Sequence, residues 1–126
     1  MNQTADILNW HAKHAWQPFT QMKLSAPPVI IDRAEGLYLI ASDGRKIIDA
    51  VGSWWVSIHG HNHPDIVNAV QKQLNALDQV MYAGFTHEPA ARLSHRLSEK
   101  TNGHLPRAFY SDNGACAVEI GLKMAF

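Results

Sequence analysis

The sequence predicts an α/β fold: a small antiparallel meander with helices, then a strand, a turn and a further helix. Three observations predict it. Short β-branched runs fill positions 29–50 between glycine-bearing turns. Apolar residues recur at helical spacing over 64–77 and again over 88–100. Finally, Arg107-Ala-Phe-Tyr-Ser111 runs straight into Asp112-Asn113-Gly114 and another helical stretch.

The elements follow in order. Trp10, Trp16 and Phe19 stand among polar residues, and the segment closes on Pro18 and Pro27-Pro28. This reads as an irregular arm over 1–28 with a short helix near Ala5–Ala15. Val29-Ile30-Ile31, Gly36–Ala41 and Lys46–Ala50 are the strands of the meander, with turns at Ala34-Glu35-Gly36 and Ser42-Asp43-Gly44. Pro64 suits a first helical position, and Ile66, Val67, Val70, Leu74 and Leu77 mark one face of the helix it opens. The next helix runs from Glu88 to Lys100 with Ala90, Leu93 and Leu97 inward. Thr86 is its expected N-cap and Asn102-Gly103 its stop. Residues 29–105 would then form a small domain of meander and helices, and 106–126 the start of a larger one.

The last stretch carries an apolar stripe of Cys116, Ala117, Ile120 and Met124 with no cap after it. An uncapped apolar helix needs partners for its last carbonyls and for its face, so the chain reads as the front piece of a longer protein.

Composition narrows the function classes. With 46% hydrophobic and 17% charged residues, the 126-residue chain can bury apolar surface and is not a disordered tail. Eleven basic and eleven acidic side chains cancel, leaving no electrostatic reason to expect nucleic acid or an anionic membrane. No apolar run approaches the roughly 20 residues that span a bilayer. The start, MNQTADILNW, lacks a basic region followed by an apolar one, the mark of a secretory signal. A single cysteine excludes an internal disulfide and suits a reducing compartment. The expectation is a soluble cytoplasmic protein.

Four constellations bear on chemistry. A strand that delivers Asn113-Gly114-Ala115 to a helix start presents unpaired N–H groups at the positive end of a helix dipole, a ready phosphate site, though many such turns bind nothing. His59, His61 and His63 would alternate onto one face of an extended segment. Neighbours on that face lie about 7 Å apart, too far for ligands converging on one ion, so hydrogen-bonded turn histidines are favoured over a metal. On a strand, Trp54 and Trp55 would point to opposite faces, leaving core packing and a pocket wall both open. Cys116 near a helix N-terminus could be an activated thiol, but its place on the apolar stripe favours a small buried residue.

Several segments together resemble the class III pyridoxal-phosphate aminotransferases. Ala34–Asp49 resembles their N-terminal meander, Gly60-His61-Asn62-His63-Pro64 matches their G-H-x-H-P turn, and Ser111–Glu119 resembles their phosphate-binding turn. Gln17–Met22, Ser53-Trp54-Trp55 running into Ile58-His59-Gly60, and Met81–His87 resemble one branch in particular. That branch transfers an amino group from S-adenosylmethionine to 8-amino-7-oxononanoate in biotin biosynthesis. The resemblance covers almost the whole chain from Trp10 to Phe126.

It implies the N-terminal part of a fold type I, pyridoxal 5'-phosphate-dependent transferase that works as a homodimer. Asn113, Gly114 and Ala115 match the positions that hold the cofactor phosphate. Trp54, with Trp55 beside it, matches the substrate-pocket wall. Phe19 falls where the best-known members carry a substrate-recognising tyrosine, and its missing hydroxyl removes one hydrogen bond. In the family the Schiff-base lysine, the aspartate on the pyridine nitrogen and the carboxylate-binding arginine all lie beyond the position of Phe126. None of the lysines here sits in the catalytic context, so the chain alone is expected to be inert. Two alternatives stand beside this: another class III aminotransferase acting on an ω-amino acid, against which the double tryptophan argues, and a free-standing, non-catalytic binding module.

Overall fold

The computed structural model describes residues 3–126. Helix α1 (Gln3–His14) opens them, and the meander follows as β1 (Ile31–Glu35), β2 (Tyr38–Ala41) and β3 (Lys46–Ile48). The single turn α2 (Gly52–Trp55) comes next, then helices α3 (Pro64–Ala76), α4 (Glu88–Lys100) and α5 (Gly114–Ala125). The chain divides between Ala76 and Leu77 into two compact units.

In the first unit the sheet has the order β1-β2-β3 and both pairings are antiparallel, as the meander requires. Tyr38 sits opposite Glu35 on one side and Ile48 on the other. The first strand begins later than the Val29–Ile31 expected, because the tight turn falls at Gly36, with φ +55, and leaves Ala34 and Glu35 inside the ladder. At the second turn Gly44 takes φ +87, and Asp43 accepts from the Arg45 backbone N–H (3.1 Å) and from its Nε (2.7 Å). Those bonds hold the Asp43 carboxyl below its ordinary range. Ala41, 3% exposed, is the best-covered apolar side chain of this unit.

The second unit rests on α4. His87, not Thr86, is the N-cap: its ring Nδ1 accepts from the Ala90 N–H at 3.4 Å, and Pro89 follows in the first turn. An imidazole can replace a hydroxyl in this role because the orphan N–H asks only for an acceptor in reach. Asn102 and Gly103 take positive φ and the Gly103 N–H returns to the Ser98 carbonyl, closing the helix where the sequence places its stop.

The segment 107–111 is not a strand. Among the described residues no neighbouring strand pairs with it, and an extended chain becomes a strand only through a ladder partner. It is tied to α4 instead: the Tyr110 hydroxyl donates to the Ala90 carbonyl at 2.7 Å and lies 2.6 Å from the Ser94 hydroxyl. The apolar stripe of α5 is only partly covered. Cys116 and Ile120 are half-buried, whereas Ala117 and Met124 are exposed. Periodicity marks the face a helix can bury, and burial itself waits for something to pack there.

Candidate functional site

The residues around Trp54 form a feature that strand periodicity does not foresee. Gly52, Ser53, Trp54 and Trp55 have φ of +58, +48, +61 and +68, one turn of left-handed backbone. The two indoles therefore do not alternate across a strand; they ride on a tight knuckle. For a residue with a Cβ this region costs about 1 kcal/mol or more apiece, so three consecutive ones persist only if their surroundings enforce them.

The enforcement is visible. Gly52 N–H donates to the Asp49 carbonyl, Trp55 N–H to the Val51 carbonyl, and both Val56 and Ser57 N–H to the Gly52 carbonyl. Side chains add to this. Asp49, just past β3, accepts the Ser53 N–H on Oδ1 (3.0 Å) and the Ser53 hydroxyl on Oδ2 (2.7 Å). His61 Nε2 also reaches Oδ2 at 2.8 Å, while its Nδ1 lies 3.4 Å from the Ser57 hydroxyl. The Asp49 and His61 side chains are 9% and 16% exposed, so water competes little for the bond between them. The Ser53 N–H, then its hydroxyl, then His61 pull the Asp49 carboxyl down to about 2.

His61 is itself fixed to the meander by a bridge, its N–H donating to the Gly36 carbonyl (2.7 Å) and its carbonyl accepting from the Gly36 N–H (3.1 Å). A Cβ at Gly60, whose φ is +79, would be crowded, standing 3.1 Å from the Gly36 carbonyl oxygen. His59 and His63 meet edge to face with ring centroids 6.2 Å apart. Among the described residues no group of three His, Cys, Asp or Glu side chains is placed to hold a metal ion.

Within this first unit the structure brings two candidate pocket residues together. The Phe19 and Trp54 rings meet edge to face, centroids 5.5 Å apart and planes at 70°. Phe19, also at positive φ, is 96% exposed; Trp54 is 53% and Trp55 81% exposed. Neither indole is a core residue here.

The second unit carries Asn113, Gly114 and Ala115. Asn113 has extended backbone and caps α5, its Oδ1 accepting from the Cys116 N–H at 3.0 Å. Its carbonyl accepts from Ala117. The N–H groups of Gly114 and Ala115 have no acceptor among the described residues, and nothing stands within 4 Å of where a Gly114 Cβ would be. Two free donors in open space at a helix N-terminus suit a phosphate. Cys116 lies half-buried one residue further on.

Sequence reasoning missed Asp49, Ser53, Ser57 and His61 as a set. Gly52 and Gly60 flanking the tryptophans were the available signal, since each marks a backbone that a Cβ would strain or obstruct.

The class-III aminotransferase family matches residues 20–126. An adenosylmethionine-8-amino-7-oxononanoate aminotransferase of Synechococcus elongatus is 46% identical over 112 residues, which are 89% of this chain and 26% of that protein. The crystal structure of the adenosylmethionine-8-amino-7-oxononanoate aminotransferase from Methanocaldococcus jannaschii matches with a TM-score of 0.89 at 37% identity. That match covers 97% of this chain and 28% of the other. Taurine:2-oxoglutarate aminotransferase from Bifidobacterium kashiwanohense, solved with PLP and glutamate, matches at TM-score 0.82 and 26% identity over 96% of this chain and 27% of its own. The chain spans about a quarter of the length of the curated relatives it matches.

Proposed function

Because this chain belongs to the class-III aminotransferases, we propose that it forms the front of an enzyme that moves an amino group from S-adenosylmethionine to 8-amino-7-oxononanoate, using pyridoxal 5'-phosphate. Its fold is that of the N-terminal part of a fold type I transferase. On this reading residues 1–28 are an arm, 29–105 belong to the small domain, and 106–126 begin the cofactor-binding domain. The complete enzyme is a cytoplasmic homodimer.

The mouth of α5 is the observation that carries the reading. Gly114 and Ala115 offer two unengaged N–H groups, and Asn113 caps the next donor without covering them. These residues hold the cofactor phosphate. When bound, the cofactor supplies an electron sink for the carbon that bears the amino group. Trp54 supplies an apolar wall against the substrate, with Trp55 beside it and the exposed Phe19 ring meeting it edge to face. Phe19 shapes that wall but donates no hydrogen bond, having no hydroxyl.

No residue of this chain is assigned the proton transfers. Lys123 pairs with Glu119 at 2.8 Å on an exposed helix face, and Lys46 lies 3.8 Å above the Tyr38 ring. These two and the other four, Lys13, Lys23, Lys72 and Lys100, are all exposed, and none is a buried, desolvated amine of the kind used in covalent catalysis. On this reading covalent attachment of the cofactor falls to other residues of the enzyme, and residues 1–126 alone are expected not to transaminate.

A complete enzyme carrying these residues tests the reading. It should bind pyridoxal phosphate, seen by visible absorbance, and form the diamine product with S-adenosylmethionine as donor. Activity with alanine or glutamate but not S-adenosylmethionine would move it to the ω-amino acid branch. Residues 1–126 unfolding alone as a compact cooperative monomer, with no cofactor bound by the complete chain, would favour a binding module.

A further inference from the structure

The tryptophan knuckle is anchored at both ends by side chains to which the proposed function gives no role. At its start Asp49 takes both donors of Ser53; at its end Ser57 meets His61, and His61 closes the circuit on Asp49. A neutral imidazole satisfies all of these contacts: Nε2–H donates to the carboxylate while Nδ1 accepts from the Ser57 hydroxyl. The His61 backbone, bridged to Gly36, and the Asn62 amide, which donates to the Ala34 carbonyl at 2.5 Å, fasten the clamp to the meander.

We propose that Asp49 and His61 are positioning residues for substrate recognition: they hold Ser53, Trp54 and Trp55 in left-handed backbone and so set the Trp54 ring against Phe19. The inference rests on the reading of Trp54 as a wall of the substrate pocket. Left-handed backbone at three successive residues with a Cβ relaxes once its enforcing bonds go, and the indole moves with the backbone that carries it. The conformation is disfavoured by sequence and retained by a dedicated network, which places the position of the ring, rather than local stability, at issue.

The test uses the complete, cofactor-loaded enzyme. Asp49→Asn keeps one acceptor for the Ser53 N–H but turns the other oxygen into a donor facing Ser53 and His61. KM for the amino acceptor should rise about fivefold or more, with kcat and cofactor absorbance near wild type and near-ultraviolet tryptophan dichroism altered. Adding Ser53→Gly, which removes the strain at one of the three residues, should return KM part of the way. His61→Gln should shift KM in the same direction if Asp49→Asn yields no folded protein. An unchanged KM in Asp49→Asn, or a rise that Ser53→Gly does not lessen, overturns the clamp. Trp54→Ala separates the two readings. If it raises KM while Asp49→Asn does not, only the clamp fails; if it leaves KM unchanged, the pocket reading fails and the clamp's role with it.

Discussion

The knuckle at Gly52–Trp55 and the corner at Asn113–Ala115 are both short turns controlled by an Asp or Asn side chain, yet they treat their backbone donors in opposite ways. At the knuckle the N–H groups of Gly52, Ser53, Trp55, Val56 and Ser57 are all engaged within the chain. What it presents outward is aromatic surface. At the corner Asn113 engages Cys116 and leaves Gly114 and Ala115 N–H unoccupied, so what it presents is hydrogen-bond donors. The first is strained and braced by four side chains; the second is an ordinary helix start with a single cap. A turn whose donors are consumed locally can only display side chains, and one whose donors stay free can grip an anion.

The largest effect is expected from a change at the corner. Gly114→Asp puts a carboxylate at the first position of α5, where it favours the helix but opposes a phosphate. In the complete enzyme, retention of pyridoxal phosphate through gel filtration should fall, with Kd rising about 10- to 100-fold, the scale of charge-assisted hydrogen bonds. Unaltered retention would show that the corner grips no anion.

Next in size is the knuckle's display. Trp54→Ala should raise KM for the amino acceptor about 10-fold, the scale of a lost aromatic contact, with cofactor content unchanged. A matching loss of cofactor would mean that the two regions are not separate in function.

Acid should act on only one of the two turns, because the knuckle alone is braced by an ionised group, the Asp49 carboxylate. Its pKa is depressed in the folded state, from the ordinary 3.8 to about 2. The stability it contributes is thus fully present above about pH 4 and is lost as pH falls toward 2. The gap in thermal midpoint between wild type and Asp49→Asn should be widest near neutrality and close through that window. A gap independent of pH would assign the effect to packing. The smallest change expected is from Phe19→Tyr, which returns a hydroxyl to the edge of the Trp54 wall. It should shift substrate KM by no more than about fivefold, a single net hydrogen bond, and a larger effect would mean that the ring itself has moved.

Much of the architecture was legible in the residues. The boundaries of α4 at Glu88 and Lys100 and the start of α3 at Pro64 follow from local capping and periodicity, which act over a few residues and need no distant partner. The order and antiparallel sense of the meander follow from turn chemistry at Gly36 and Gly44. The strand at 107–111 failed for the complementary reason: its ladder partner would have to come from elsewhere, and Tyr110 bonds to α4 instead. Met124 failed likewise, since a stripe is buried only by whatever packs on it.

The candidate site divides along the same line. The helix mouth at Asn113–Ala115 could be read directly, because a cap and its free donors lie within four residues of one another. The contact of Phe19 with Trp54 spans 35 positions, and the bond of His61 to Asp49 spans twelve. Neither leaves a periodic trace. Chemistry between near neighbours was enough to mark α1, α3, α4 and α5, the glycine turns of the meander and the donors at the mouth of α5, whereas the family was legible as a resemblance of whole segments. That Ser53, Trp54 and Trp55 turn left-handed depends on contacts made across the fold. No local preference would choose that backbone; a carboxylate and an imidazole brought together by the folded meander hold it in place.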